Sequence, residues 1–156
     1  MAKHDALIVW RSDGQFSTGR YSRAHQWRFD GGAIVPASSS PHVVPVPLSD
    51  PAGVDPEEAL VASASSCHML WFLDLARRAG FEVESYRDDA VGEVGKDERG
   101  RIALRTIRLR PAIVFTGKQP SADELERLHD GAHENCFIAN SLRSEVVVDA
   151  AVEAED

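Results

Sequence analysis

Cys67 and Cys136 are the only two thiols in the chain, and thiols are the side chains here best suited to covalent chemistry. Cys67 lies within "DPEEALVASASSCHMLWFLDLARRAG", residues 55–80. A free cysteine usually packs as a small hydrophobe. It becomes a good nucleophile only as a thiolate, and bringing a thiol below its ordinary pKa of about 8.5 takes a nearby cation or a helix N-terminus. Arg20 and Arg23, in or beside the connection after the first predicted strand, are the candidate cations. His68 follows Cys67 directly, but adjacent helical residues point about 100° apart, so it reads as a packing or supporting residue. A Cys–His protease would also need an orienting third group and an oxyanion hole, and no motif supplies them. His129, His133 and Cys136 stand four and three apart, which suits one helical face and opens a metal-binding reading, with Cys67 and His68 as further ligands. Gly131 weakens that helix, and solvated histidines explain the spacing equally well. No metal or other cofactor is therefore expected.

The elements that must position these residues are partly legible. Asp55 is placed to cap a helix, Pro56 suits its first position, Glu58 stands three after the cap and Gly80 can close the end. Between Ala59 and Cys67 the helix is mostly Ala and Ser, with Leu60 and Val61 the larger exceptions, so close packing on several sides is expected. Met69, Leu70, Trp71, Phe72 and Leu73 then make it bulky. Upstream, "ALIVW" (6–10) and the alternation of Tyr21, Arg23, His25, Trp27 and Phe29 predict two strands, the second ended by Gly31-Gly32. Six prolines between 36 and 56 predict an extended surface connection with neither helix nor central strand. Downstream, "FEVESYRDDAVGEVG" and "RIALRTIRLRPAIVFTG" predict two long strands joined by a turn at Gly100. Ile107, Leu109, Pro111, Ile113 and Phe115 share one face of the second strand, and Arg108 and Arg110 the other. Ser121 and Glu124 form a capping-box pattern before a helix whose Leu125, Leu128 and Ala132 line one face. "FIANSLR" predicts a short helical turn, and "SEVVVDAAVE" a last strand running into an acidic tail. The order predicts a single α+β domain over residues 1–156.

Composition narrows the partners. A formal charge of -8, spread along the chain, argues against nucleic acid and anionic membranes, which demand clustered Lys and Arg. No stretch reads as about 20 apolar residues, and "MAKHDALIVW" has no apolar run with a cleavage site, so a cytoplasmic protein with reduced thiols is expected.

"DPEEALVASASSCH" resembles the signature of the OsmC-type family, the osmotically inducible and organic hydroperoxide resistance proteins. There a Pro-Glu pair precedes a central-helix cysteine by the spacing of Pro56-Glu57 to Cys67. "HENCFIANSL" is similar to that family's later cysteine segment, which makes Cys136 the partner. The resemblance implies antiparallel sheets packed on a central cysteine-bearing helix, in an intertwined homodimer. It also implies a stress-response, antioxidant peroxidase that reduces organic hydroperoxides to alcohols. Cys67 would attack the peroxide, Cys136 would resolve the product, and an arginine held by Glu57, either Arg20 or Arg23, would stabilise the thiolate. A dithiol would then restore the pair by exchange. Glu57 and Cys67, ten positions apart, lie about 15 Å apart along a straight helix and cannot touch within it. A shared site therefore needs a bent helix or a second subunit. The apolar residues after each cysteine are expected to wall the approach to the sulfurs and to favour alkyl or aryl hydroperoxides over hydrogen peroxide. The alternative is a non-catalytic module of the same fold that binds a small ligand or a metal, with inert cysteines.

Overall fold

The computed structural model describes residues 1–150, so the end of the predicted acidic tail lies outside the described residues. These residues form two compact units, Met1–Ala59 and one beginning at Leu60. The elements along the chain are β1 (Ala6–Val9), β2 (His25–Phe29), β3 (Ile34–Ala37), α1 (Pro56–Arg78), β4 (Glu82–Asp88), β5 (Val91–Lys96), β6 (Ile102–Leu109), β7 (Pro111–Thr116), α2 (Ala122–Asn135), α3 (Phe137–Ser141) and β8 (Glu145–Val148), an α+β arrangement.

In the first unit β1, β2 and β3 form an antiparallel sheet in that order, with Ile8 opposite Trp27 and Trp27 opposite Val35. The predicted second strand begins only at His25. Tyr21 belongs to the preceding connection, where its ring meets those of Trp10 and Phe16 at 5.6 and 5.1 Å. β3 is an unforeseen strand, although the proline count excluded only a helix and a central strand. Its Pro36 is accommodated because β3 is an edge strand, where a missing N–H interrupts no inner ladder. The rest of the proline-rich stretch is the expected surface connection, with Pro41, Val43, Pro45, Val46 and Pro47 exposed, but it is anchored by the buried Ser38, Ser40, Ser49 and Asp55. Proline removes donors from a ladder, but serine hydroxyls can satisfy neighbouring backbone groups instead, as Ser38 Oγ does by accepting the Asp50 N–H at 2.9 Å. Val54 returns beside Ala37 in a parallel bridge, and a Cβ on Gly53 would lie 2.8 Å from the Ala37 carbonyl carbon, so that close approach requires glycine.

α1 forms where its caps predict. The Glu58 N–H donates to Asp55 Oδ1 at 2.8 Å and the Asp55 N–H to Glu58 Oε2 at 3.1 Å, a reciprocal capping box. At the other end the Phe81 N–H reaches the Ala76 carbonyl, with Gly80 at φ +82° supplying the left-handed residue. The helix is long enough and apolar enough on average to cross a membrane, contrary to the residue-by-residue expectation, because Ala, Val and Leu raise the mean although Ser, His and Asp interrupt the run. Its buried stripe, Ala64, His68, Phe72 and Ala76, marks it as a core helix of this fold. That single i, i+4 seam also corrects the expectation of burial on several sides: Ala62, Ser66 and Leu70 are exposed.

The two predicted long strands are four. β5 and β6 form the expected antiparallel hairpin around Gly100, but β4 pairs with β7 in a separate sheet. The ladder breaks at Arg110-Pro111, where proline has no N–H to give and the Arg110 N–H turns to Asp88 Oδ1 at 2.6 Å. β8 joins β6 in parallel, a mixed element within otherwise antiparallel sheets. Each sheet covers its own cluster. Ala64, Ile107 and Leu109 are sealed beside Leu104 and Val146, and Phe72, Ala76, Phe81, Phe115, Leu128 and Ala132 pack with Val83 and Ile113. Full burial of a side chain such as Phe72 stabilises the fold by about 1.5–3 kcal/mol. The facing predicted for β6 and β7 holds, with Ile107, Leu109 and Pro111 buried and Arg110 exposed. α2 carries the predicted capping box at Ser121 and Glu124.

Candidate functional site

The second unit makes the two thiols neighbours: the Cys67 side chain is close enough to be among the groups that raise the Cys136 thiol. Cys67 is half-buried in the middle of α1, whereas Cys136 is 1% exposed. Cys136 is the single extended residue (φ -70°, ψ 107°) between α2 and α3. Its N–H donates to the His133 carbonyl at 3.2 Å, and its sulfur accepts the Ala139 N–H at 3.4 Å. The break is encoded locally, since Asn135 and Asn140 side chains donate to the carbonyls of Gly131 and Glu134, at 2.8 and 3.0 Å. Burial pushes the Cys136 thiol up from its ordinary range. The Ala139 N–H pulls the other way but does not prevail, and the neighbouring Cys67 adds to the upward shift. Of the two sulfurs, that of Cys67 is the more accessible.

Trp71, one turn beyond Cys67, meets Phe137, the residue after Cys136, edge-on at 5.9 Å. Phe137 is 70% and Leu70 61% exposed, so apolar surface is available on both cysteine-bearing segments. Phe72, fully buried, belongs to the core and not to any approach.

His68 is more than the packing residue its position suggests. Its Nε2 lies 3.0 Å from Nδ1 of His129, in a buried pair whose ring planes differ by 10°. Phe72 closes on His129 with centroids 4.5 Å apart. Burial depresses both imidazoles to about 4, with the neighbouring His129 and His133 pushing His68 in the same direction and Asp88 opposing them. Among the described residues the outer nitrogens, His68 Nδ1 and His129 Nε2, have no partner, and neither has the hydroxyl of Tyr86, whose ring packs on Phe72. Asp88 accepts from Ser65 Oγ and from the Arg110 N–H. No local sequence pattern announces the histidine pair, whose members are 61 residues apart. The i, i+4 recurrence of Ala64, His68 and Phe72 was the one signal that His68 faces inward. His129 thus turns to His68 while His133 is exposed, and among the described residues no group of three or more His, Cys, Asp or Glu is placed to hold a metal ion.

The other candidates lie in the first unit. The Arg23 guanidinium sits over the Tyr21 ring, 3.7 Å from its centroid, and donates to the carbonyls of Gly19 and Tyr21. Arg20 is exposed, and so is Glu57 on the first turn of α1. Among the described residues Glu57 forms no ion pair with either arginine. A cavity of about 470 Å³ lined by Leu75, Arg78, Phe81, Arg127 and Leu128 includes neither cysteine.

Comparison with known proteins places this geometry among relatives. The profile of the family described as OsmC-like protein matches residues 49–151. An OsmC-like protein of unknown function from Vibrio cholerae has a solved structure that is 51% identical, with 97% of this chain and 100% of that chain covered and a TM-score of 0.95. An organic hydroperoxide resistance protein from Elizabethkingia anophelis is 17% identical over 99% of this chain and 98% of its own, with a TM-score of 0.71. One from Legionella pneumophila is 17% identical over 99% and 100%, with a TM-score of 0.67. At that identity the last two show the fold alone. Curated proteins give no match.

Proposed function

Because the chain belongs to the OsmC-like protein family, we propose that it is a thiol-dependent peroxidase that reduces organic hydroperoxides to alcohols with Cys67 and Cys136. The observation that carries this reading is that a half-buried, accessible thiol and a sealed one are neighbours. The Cys67 thiolate attacks the terminal peroxide oxygen. The O–O bond breaks, an S–O bond forms, and the leaving alkoxide takes a proton to depart as the alcohol. Cys136 then attacks the Cys67 sulfenic acid, forming the disulfide and releasing water. A dithiol reductant returns both thiols through a mixed disulfide, itself becoming a disulfide.

The exposed apolar groups Leu70 and Phe137, with Trp71 against Phe137, support an alkyl or aryl substrate. For the cation beside the thiolate, Arg20 and Arg23 both remain candidates, with Glu57 as its anchor. α1 is unbroken from Pro56 to Arg78, so a bent helix does not bring Glu57 to the Cys67 ten residues away in its own chain. A homodimer in which Glu57 serves the partner's thiol is the arrangement proposed here. The exposed small residues Ala62 and Ser66 suit close helix packing there. Sedimentation at micromolar concentration tests it: a fully active monomer of 17.1 kDa would overturn the shared site. The function itself is tested by following loss of cumene hydroperoxide with a small dithiol as reductant. Wild type is expected to turn over repeatedly, and absence of dithiol-dependent consumption would refute the reading.

A further inference from the structure

His68 and His129 are placed where packing alone would prefer hydrocarbon. Phe72 packs on His129, and among the described residues neither outer nitrogen has a partner. Two neutral imidazoles joined by one hydrogen bond leave one outer N–H and one outer lone pair. Each such unsatisfied buried group destabilises the fold, and replacing both partners by apolar groups of similar shape is often neutral or stabilising. The pair is thus poorly explained as a contribution to stability.

Its location offers another explanation. His68 immediately follows Cys67 on α1, and His129 stands two turns before Cys136 on α2. The bond at 3.0 Å is a polar link between the two helices that deliver the cysteines. An imidazole pair fixes both separation and ring orientation, whereas apolar contacts between the same helices tolerate sliding. Ser65 on the preceding turn of α1 adds a second tether by donating to Asp88 at the end of β4.

We infer that His68 and His129 are positioning residues that hold α1 and α2 at the spacing where Cys67 and Cys136 exchange readily between dithiol and disulfide. The inference rests on reading the two cysteines as a redox pair, but not on the identity of the oxidant. It is tested by equilibrating the reduced protein with oxidised dithiothreitol. Two electrons and two protons pass from Cys67 and Cys136 to that disulfide, and the acid-trapped species are separated by mass and thiol content. The His68→Leu/His129→Leu double variant is expected to remain folded, and to form the Cys67–Cys136 disulfide with an equilibrium constant lowered about tenfold, equivalent to about 30 mV. His129→Gln, which keeps a hydrogen-bonding group at that position, is expected to retain more of the wild-type constant than His129→Leu. A folded double variant with the wild-type constant would overturn the inference. Should the double variant not fold, equal constants for His129→Leu and His129→Gln would overturn it as well. Wild type that forms the disulfide but does not consume hydroperoxide would refute the peroxidase reading and leave the positioning role standing.

Discussion

Cys67 and His68 are neighbours on α1, and each meets a residue of its own kind from the segment that holds α2 and α3, yet the two meetings differ in character. The thiol pair joins a half-buried group to a sealed one, while the imidazole pair is sealed on both sides. A turn of about 100° per residue separates the two environments. Side chains that differ by one place in sequence thereby face different surroundings: Cys67 is half-buried and accessible, whereas His68 is sealed. What separates the two pairs is access to solvent more than residue type.

The sharpest way to break this comparison is to remove the exposed partner. Cys67→Ser is expected to abolish dithiol-dependent hydroperoxide consumption, measured as the loss of cumene hydroperoxide. Retained turnover would put the chemistry elsewhere. Cys136→Ser should still consume about one equivalent of peroxide per chain but fail to recycle at the wild-type rate, with Cys67 trapped as sulfenic acid by dimedone. Wild-type turnover in this variant would remove Cys136 from the resolving role.

A smaller effect tests what the accessible side is built to receive. If the apolar groups beside the sulfurs cover about four substrate carbons, burial of roughly 0.8 kcal/mol per CH₂ gives about 3 kcal/mol, or about a hundredfold in kcat/KM. Cumene and tert-butyl hydroperoxides should exceed hydrogen peroxide by that order. Phe137→Ser should narrow the gap by reducing the rates for the organic peroxides. Equal rates for all three substrates would show that Leu70, Trp71 and Phe137 do not line the path.

The smallest effect concerns the sealed pair near neutrality. Both histidines are depressed from 6.5 to about 4, so the unfolded chain binds protons that the folded chain refuses. Stability is therefore complete above about pH 6.5 and is lost as pH falls toward 4. Between pH 7 and 6 the loss is about 0.7 kcal/mol per histidine, rising toward about 1.4 kcal/mol per pH unit below that. Urea unfolding across this range should show the slope, and His68→Leu/His129→Leu should flatten it. An unchanged slope would mean that other groups carry the pH dependence.

Much of the site's scaffold could be read in advance because its signals are local. Asp55 with Glu58 and Ser121 with Glu124 cap α1 and α2 by contacts spanning three residues, and Gly80 ends α1 through its own backbone freedom. Cys67 and Cys136 were identified as candidates through the segments around them, while their contact was an expectation drawn from a resemblance. β3 was missed because the stretch from Pro36 onward reads as connection throughout, although its prolines exclude only a helix and a central strand and leave an edge strand open. The bend at Arg110-Pro111 was missed because the apolar face of β6 continues into β7 without interruption, although the two strands find different partners.

The sequence by itself determined the caps, the helices, the apolar faces and which side chains are capable of thiol chemistry, since each depends on residues within a turn or two of one another. Only the tertiary structure decided that β4 pairs with β7, that His68 meets His129 across 61 residues, and that Cys136 is sealed while Cys67 is half-buried. Those outcomes depend on which of several comparably apolar surfaces pack together and on how completely water is excluded where they meet. No short window of sequence contains either quantity.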